Sequence, residues 1–120
     1  MTETYLNPVF PHDFADPFVL QHQGEFWAYC TGIQADGRCF GIAHSLDLVE
    51  WQLIGSAMDP LPAGHTCYWA PEVSYLDGRF YLYYSVGNEE RMQVRVATAT
   101  HPAGPFEDSG HRLTDGRPVE

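Results

Sequence analysis

Apolar positions along this chain come in short runs broken by Gly, Pro, Asn and Asp. No window carries them at i, i+3, i+4 and i+7 without a Gly or Pro inside it, so helices are not expected. The runs are of strand length. Residues 18–20 are apolar, Gln23-Gly24 offers a tight turn, and Phe26, Trp27 and Tyr29 return the chain, a pattern that predicts a hairpin. An exposed Asp36-Gly37-Arg38 turn then leads to a third strand over 39–45, and Ser45-Leu46-Asp47 turns the chain into a fourth beginning at Trp51. The same order follows from Trp69-Ala70-Pro71-Glu72: an Asp77-Gly78 turn, a return over 80–86, a third strand over 92–100, and a short fourth after His101-Pro102-Ala103-Gly104-Pro105-Phe106. Asp-Gly between two alternating apolar runs is a strong hairpin signal.

The two sets are copies at a constant offset of 54 positions, with Pro17 matching Pro71, Val19 matching Val73, Gly24 matching Gly78, Phe26 matching Phe80, Tyr29 matching Tyr83 and Ala43 matching Ala97. Four antiparallel strands in about fifty residues, repeated, predict an all-β chain of β-propeller blades. The expected divisions are an N-terminal arm over 1–13, a first blade over 14–55, a loop over 56–68, a second blade over 69–110, and a loop over 111–120 leading toward a third blade. Within the arm, Asn7-Pro8 and Phe10-Pro11 break regular structure, while Tyr5, Val9 and Phe10 are placed to pair as an edge strand. The proline of a further repeat would fall just past Glu120.

A length of 120 residues suits one ordinary domain. The formal charge of −10 argues against nucleic acid or an anionic membrane surface as partner and favours neutral or cationic ligands. No apolar stretch approaches membrane-spanning length. Cys30, Cys39 and Cys67 form an odd set behind an N-terminus with neither basic flank nor apolar core, so a reduced cytoplasm is the expected home, with a Cys30–Cys39 bridge allowed but not demanded. His65 and Cys67 share a loop without a second ligand pair, so no metal is expected, and nothing in the chain calls for a cofactor. Ser45 and Ser85 lack the Gly-x-Ser-x-Gly setting of a serine hydrolase.

The chemistry concentrates at Asp16-Pro17. Proline has no N–H and restricts the residue before it to extended backbone, which predicts a carboxylate fixed at the mouth of a strand. A solvated loop-to-strand junction would look the same. Asp13 and His12 are close enough in sequence to hydrogen-bond or adjust Asp16, or to be a solvated loop pair. Trp69 and Phe14 flank the starts of the two blades, where aromatic faces either stack on a sugar ring or pack between blades; for Trp27, Trp51, Phe80 and Tyr83 packing between blades is the expectation. Glu72 follows Ala70, the repeat equivalent of Asp16, by two residues. Shared strand facing would therefore bring it to the same pocket, as a lining residue or a structural carboxylate bonded to a neighbouring blade.

Taken in order, Asn7-Pro8-Val9, Asp16-Pro17, Phe26-Trp27-Ala28-Tyr29, Ser45-Leu46-Asp47-Leu48 before Trp51, and Trp69-Ala70-Pro71-Glu72-Val73 followed by Phe80-Tyr81-Leu82-Tyr83-Tyr84-Ser85 resemble glycoside hydrolase family 43 over nearly the whole chain. The resemblance implies a five-bladed propeller acting on xylan- or arabinan-derived oligosaccharides, as a β-xylosidase or α-L-arabinofuranosidase. It also implies an inverting hydrolysis with three acids, of which the general base maps onto Asp16. The general acid and an aspartate that tunes it would come from later blades. Inversion needs base and acid roughly 6.5–9.5 Å apart, with a water between base and sugar, and different blades around one pocket can supply that gap. Trp69, Phe14, Glu72 and Asp13 are the expected substrate-side neighbours of Asp16. Two alternatives stand beside this: a carbohydrate-binding ring without catalysis, assembled from several two-blade chains, and the related propeller families acting on fructans or mannosides. Two blades leave faces and edges unpaired, so either self-association or further blades are expected to complete the fold.

Overall fold

The computed structural model describes residues 4–8, 10, 12–62 and 64–114. They form two four-stranded antiparallel meanders. The first blade is β1 (Phe18–His22), β2 (Glu25–Tyr29), β3 (Cys39–Ser45) and β4 (Trp51–Met58), and the second is β5 (Cys67–Leu76), β6 (Arg79–Asn88), β7 (Arg91–Ala99) and β8 (Glu107–Arg112). Each opens with a two-residue hairpin. Gln23-Gly24 and Asp77-Gly78 have φ of 52° and 77°, and of 50° and 80°, so both central residues lie in the left-handed region that matches the twist of the flanking strands. The β3–β4 turn is held by side chains. Ser45 Oγ accepts from the Leu48 amide and Asp47 Oδ1 from the amides of Val49 and Glu50. These bonds hold the Asp47 carboxyl below the usual range.

Several expected boundaries move. Met58 pairs with Cys39, and Cys67 with Gly87, so strand structure extends into both ends of the 56–68 loop and the linker shortens to 59–66. The 111–120 loop likewise gives way at its start to β8, which runs to Arg112; residues 115–120 lie outside the described residues. Among the described residues of the arm no strand forms, and Val9 lies outside them. Prolines in the arm remove amides that a ladder would need. All three cysteines are buried as free thiols, so the Cys30–Cys39 bridge does not form.

The blades pack face to face, and the core lies between them. Tyr29, Phe40, Ile42 and Met58 of the first meet Tyr68, Phe80, Leu82 and Tyr84 of the second. Phe40 lies edge-on to Tyr84 at 5.3 Å, and the Tyr29 hydroxyl donates to the Pro102 carbonyl at 2.6 Å. The repeat explains which copy of each residue is buried. Val73 is 3% exposed against the first blade while Val19 is 44% exposed, and Tyr29 is 0% exposed against the second blade while Tyr83 is 40% exposed. Equivalent residues point to equivalent faces, but each blade has only one face covered by the other. Tyr83 therefore does not pack between the two blades as Trp27 and Phe80 do. It faces outward beside Glu72 and Val96, its cross-strand partners. Trp51 also turns away, onto the arm side of the first blade.

Candidate active site

Asp16 and Ala70, the residues before the two repeat prolines, share one backbone state, with φ of 49° and 51°. The expectation of an extended Asp16 is therefore corrected. A following proline disfavours the right-handed helical region, and aspartate tolerates the left-handed one better than most residues. For alanine the same state costs about 1 kcal/mol or more and persists only where the surroundings impose it. In the second blade this state accompanies a bulge, because Trp69 pairs with Ser85 and Glu72 with Tyr83, leaving Ala70 and Pro71 without partners in the ladder. Trp69 and Glu72 consequently share a face through the bulge. The simple alternation that predicted Glu72 beside Ala70 does not apply.

Between the two proline junctions lies a cleft of about 490 Å³, lined by Asp16, Pro17, Phe18, Thr31, Trp69, Ala70, Pro71 and Glu72. Three predicted site residues thus meet: Asp16, Trp69 and Glu72. Among the described residues neither the Asp16 nor the Glu72 carboxylate takes part in an ion pair. Trp69 leaves 43% of its surface open. Two acceptor groups beside an open indole suit a neutral, hydroxyl-bearing ligand, with hydroxyls donating to carboxylates and an apolar ring face on the indole. An uncommitted carboxylate is also the chemical requirement for deprotonating a water.

Phe14 and Asp13 are placed elsewhere. Phe14 packs edge-on against Phe10 at 5.3 Å and lines a separate cavity with Pro8, His12, Val19 and Trp51 on the arm side of the first blade. Asp13 is exposed and does not line the cleft, and His12 lies against Phe10 at 4.6 Å. The chain leaves the cleft on the N-terminal side of Asp16, which separates sequence neighbours from site neighbours. A larger cavity, about 720 Å³, lies by His65, Arg95 and Arg112, but its carboxylate Asp108 is already committed to Arg95 at 2.6 Å. Among the described residues no group of three or more His, Cys, Asp or Glu side chains could hold a metal ion.

Sequence reasoning missed Thr31. Its amide donates to the Ala15 carbonyl at 3.0 Å, its hydroxyl donates to the Tyr68 carbonyl at 3.1 Å, and the Ala70 amide donates to the same hydroxyl at 3.2 Å. One residue thus touches both junctions. A signal was present, since the 54-position offset pairs Thr31 with Ser85, another small hydroxyl residue at the matching place of the second blade.

Two four-stranded blades packed face to face, with a carboxylate and an open indole at their shared cleft, define a segment of a β-propeller. The chain belongs to the glycosyl hydrolases family 43, whose family model matches residues 5–117. It is 34% identical over 116 residues to a xylosidase/arabinosidase of Thermoclostridium stercorarium, covering 85% of this chain and 24% of that protein. It is 30% identical over 115 residues to a non-reducing end alpha-L-arabinofuranosidase of Bacteroides ovatus, covering 88% and 22%. Among solved structures, a thermostable family-43 glycoside hydrolase superposes with a TM-score of 0.78 at 31% identity, over 93% of this chain and 37% of the other. A family-43 β-xylosidase/α-arabinofuranosidase from a compost microbial metagenome, solved with xylotriose, gives 0.76 at 25% identity, over 95% and 40%. The chain thus spans about a quarter of the curated relatives' length, and its two blades match part of five-bladed family-43 propellers.

Proposed function

We propose that this chain contributes the general-base side of an inverting glycosidase acting on xylan- or arabinan-derived oligosaccharides, with Asp16 as the base. The observation that carries this is the placement of Asp16, without an ion-pair partner among the described residues, in one cleft with Trp69 and Glu72. The relatives, a xylosidase/arabinosidase and a non-reducing end alpha-L-arabinofuranosidase, support the substrate class. In this mechanism Asp16 takes a proton from a water on one face of the pentose while an acid from another part of the complete protein protonates the leaving oxygen on the opposite face. Trp69 offers a stacking face for the sugar, and Glu72 an acceptor for its hydroxyls.

The test is Asp16→Asn in the complete protein, assayed on xylo- and arabino-oligosaccharides. Turnover should fall by about 10²–10⁴-fold while thermal stability stays within experimental scatter. Near-normal turnover would remove Asp16 from the mechanism.

A second function is favoured by the uncovered faces that carry Tyr83 and Val19: several copies joining into a carbohydrate-binding ring without hydrolysis. Oligosaccharide binding with no cleavage of an activated aryl glycoside, whose leaving group needs no acid, would select it.

A further inference from the structure

We infer that Thr31 is the positioning residue of this cleft, a clasp that fixes Asp16 relative to the wall formed by residues 69–72; the functional consequence rests on the role proposed for Asp16. The two walls come from different blades, and each turns through a left-handed residue before a proline, Asp16 at φ 49° and Ala70 at φ 51°. Thr31 is bonded on both sides. Its amide holds the Ala15 carbonyl, directly before Asp16, and its hydroxyl accepts from Ala70 itself. The segment carrying Thr31 is anchored independently. Gln34 Nε2 donates to the carbonyls of Thr31 and Gly32 at 3.3 and 3.1 Å, and the Gly32 amide donates to Tyr68 at 2.8 Å.

The hydroxyl has one proton to give, and it goes to the Tyr68 carbonyl. It cannot also donate to a substrate, so its part is to position and not to react. The Tyr68 carbonyl keeps a second donor in Gly32, whereas among the described bonds the Ala70 amide depends on Thr31. Removing the hydroxyl should therefore spare the fold and loosen the bulge. A shift of about 1 Å between a carboxylate and the wall that holds its substrate is enough to cost about a hundredfold in rate.

The experiment compares Thr31→Val, which keeps the shape without the hydroxyl, with Thr31→Ser, which keeps the hydroxyl. Amide hydrogen exchange and backbone chemical shifts are recorded by NMR on this chain, and kcat and KM for an aryl pentoside are measured in the complete protein. Thr31→Val should unfold cooperatively like the wild type, exchange the Ala70 amide about tenfold faster or more, shift the Asp16 backbone resonances, and lower kcat at least tenfold with KM little changed. Thr31→Ser should restore all of these. Unchanged exchange at Ala70, or faster exchange with Asp16 unmoved, would overturn the clasp. Asp16→Asn separates the two ideas: it should abolish hydrolysis while leaving Ala70 exchange as it was. If that variant stays active, the base assignment falls and the exchange data still decide the clasp.

Discussion

Tyr29 and Tyr83 occupy the same place in two successive blades, and only Tyr29 is covered. Tyr29 is fully buried and donates to Pro102 across the blade interface, while Tyr83 leaves 40% of its surface open. The same substitution should therefore have unequal effects. Tyr29→Phe orphans a buried carbonyl and should cost about 1–2 kcal/mol in denaturant unfolding, whereas Tyr83→Phe should be silent.

The open face around Tyr83 also carries Trp69 and Leu76, 43% and 61% exposed. Light scattering on this chain should give a mass above 13.5 kDa, and Tyr83→Lys should bring it back toward that value without lowering the unfolding midpoint. A monodisperse wild-type monomer would show that the face is tolerated bare.

Asp108 should set part of the acid limit of the fold. Burial alone would raise its pKa, but Arg95 at 2.6 Å, the Tyr84 hydroxyl and the Gly110 amide together hold the carboxyl below its usual range. A carboxyl whose folded pKa lies below its unfolded value of about 3.9 stabilises the fold above that value and stops doing so as the pH falls through the folded one. Stability should hold from neutral pH down to about 5 and drop below about 4. Asp108→Asn should lose about 1–3 kcal/mol at pH 7, because the half-buried Arg95 loses its counter-charge and two hydrogen bonds, and should show a shallower acid limb. An identical acid limb in the variant would assign acid unfolding to other carboxylates.

Gly87 is irreplaceable for steric reasons. A Cβ there would sit 2.1 Å from the Arg91 carbonyl oxygen, in the backbone of the adjoining strand. Gly87→Ala should cost about 1–3 kcal/mol or more by chemical denaturation, since backbone cannot step aside as a side chain can.

Within the core, Leu82 is fully buried and Leu76, on the same blade, is 61% exposed. Leu82→Ala should cost about 2–5 kcal/mol in urea unfolding, while Leu76→Ala should stay within about 0.5 kcal/mol. Equal costs would contradict the face assignment.

The strand order, both hairpins and the 54-residue repeat were legible in the residues themselves. Turn chemistry such as Asp77-Gly78 and the two-residue period of a strand are local, written within a few positions and expressed wherever that stretch folds. Asp16-Pro17 was legible for the same reason. The backbone state of Asp16, the bulge that turns Trp69 and Glu72 to one side, and the removal of Phe14 to another cavity were not, because each depends on which surface the neighbouring segment covers. Thr31 is the clearest case. Its hydroxyl meets an amide 39 residues away, on the other blade. Sequence thus determined the elements, their repetition and the candidate carboxylate. Only the tertiary structure decided which copy of each repeated residue is buried and which side chains share the cleft, since an isolated strand has two equivalent faces until a second sheet covers one of them.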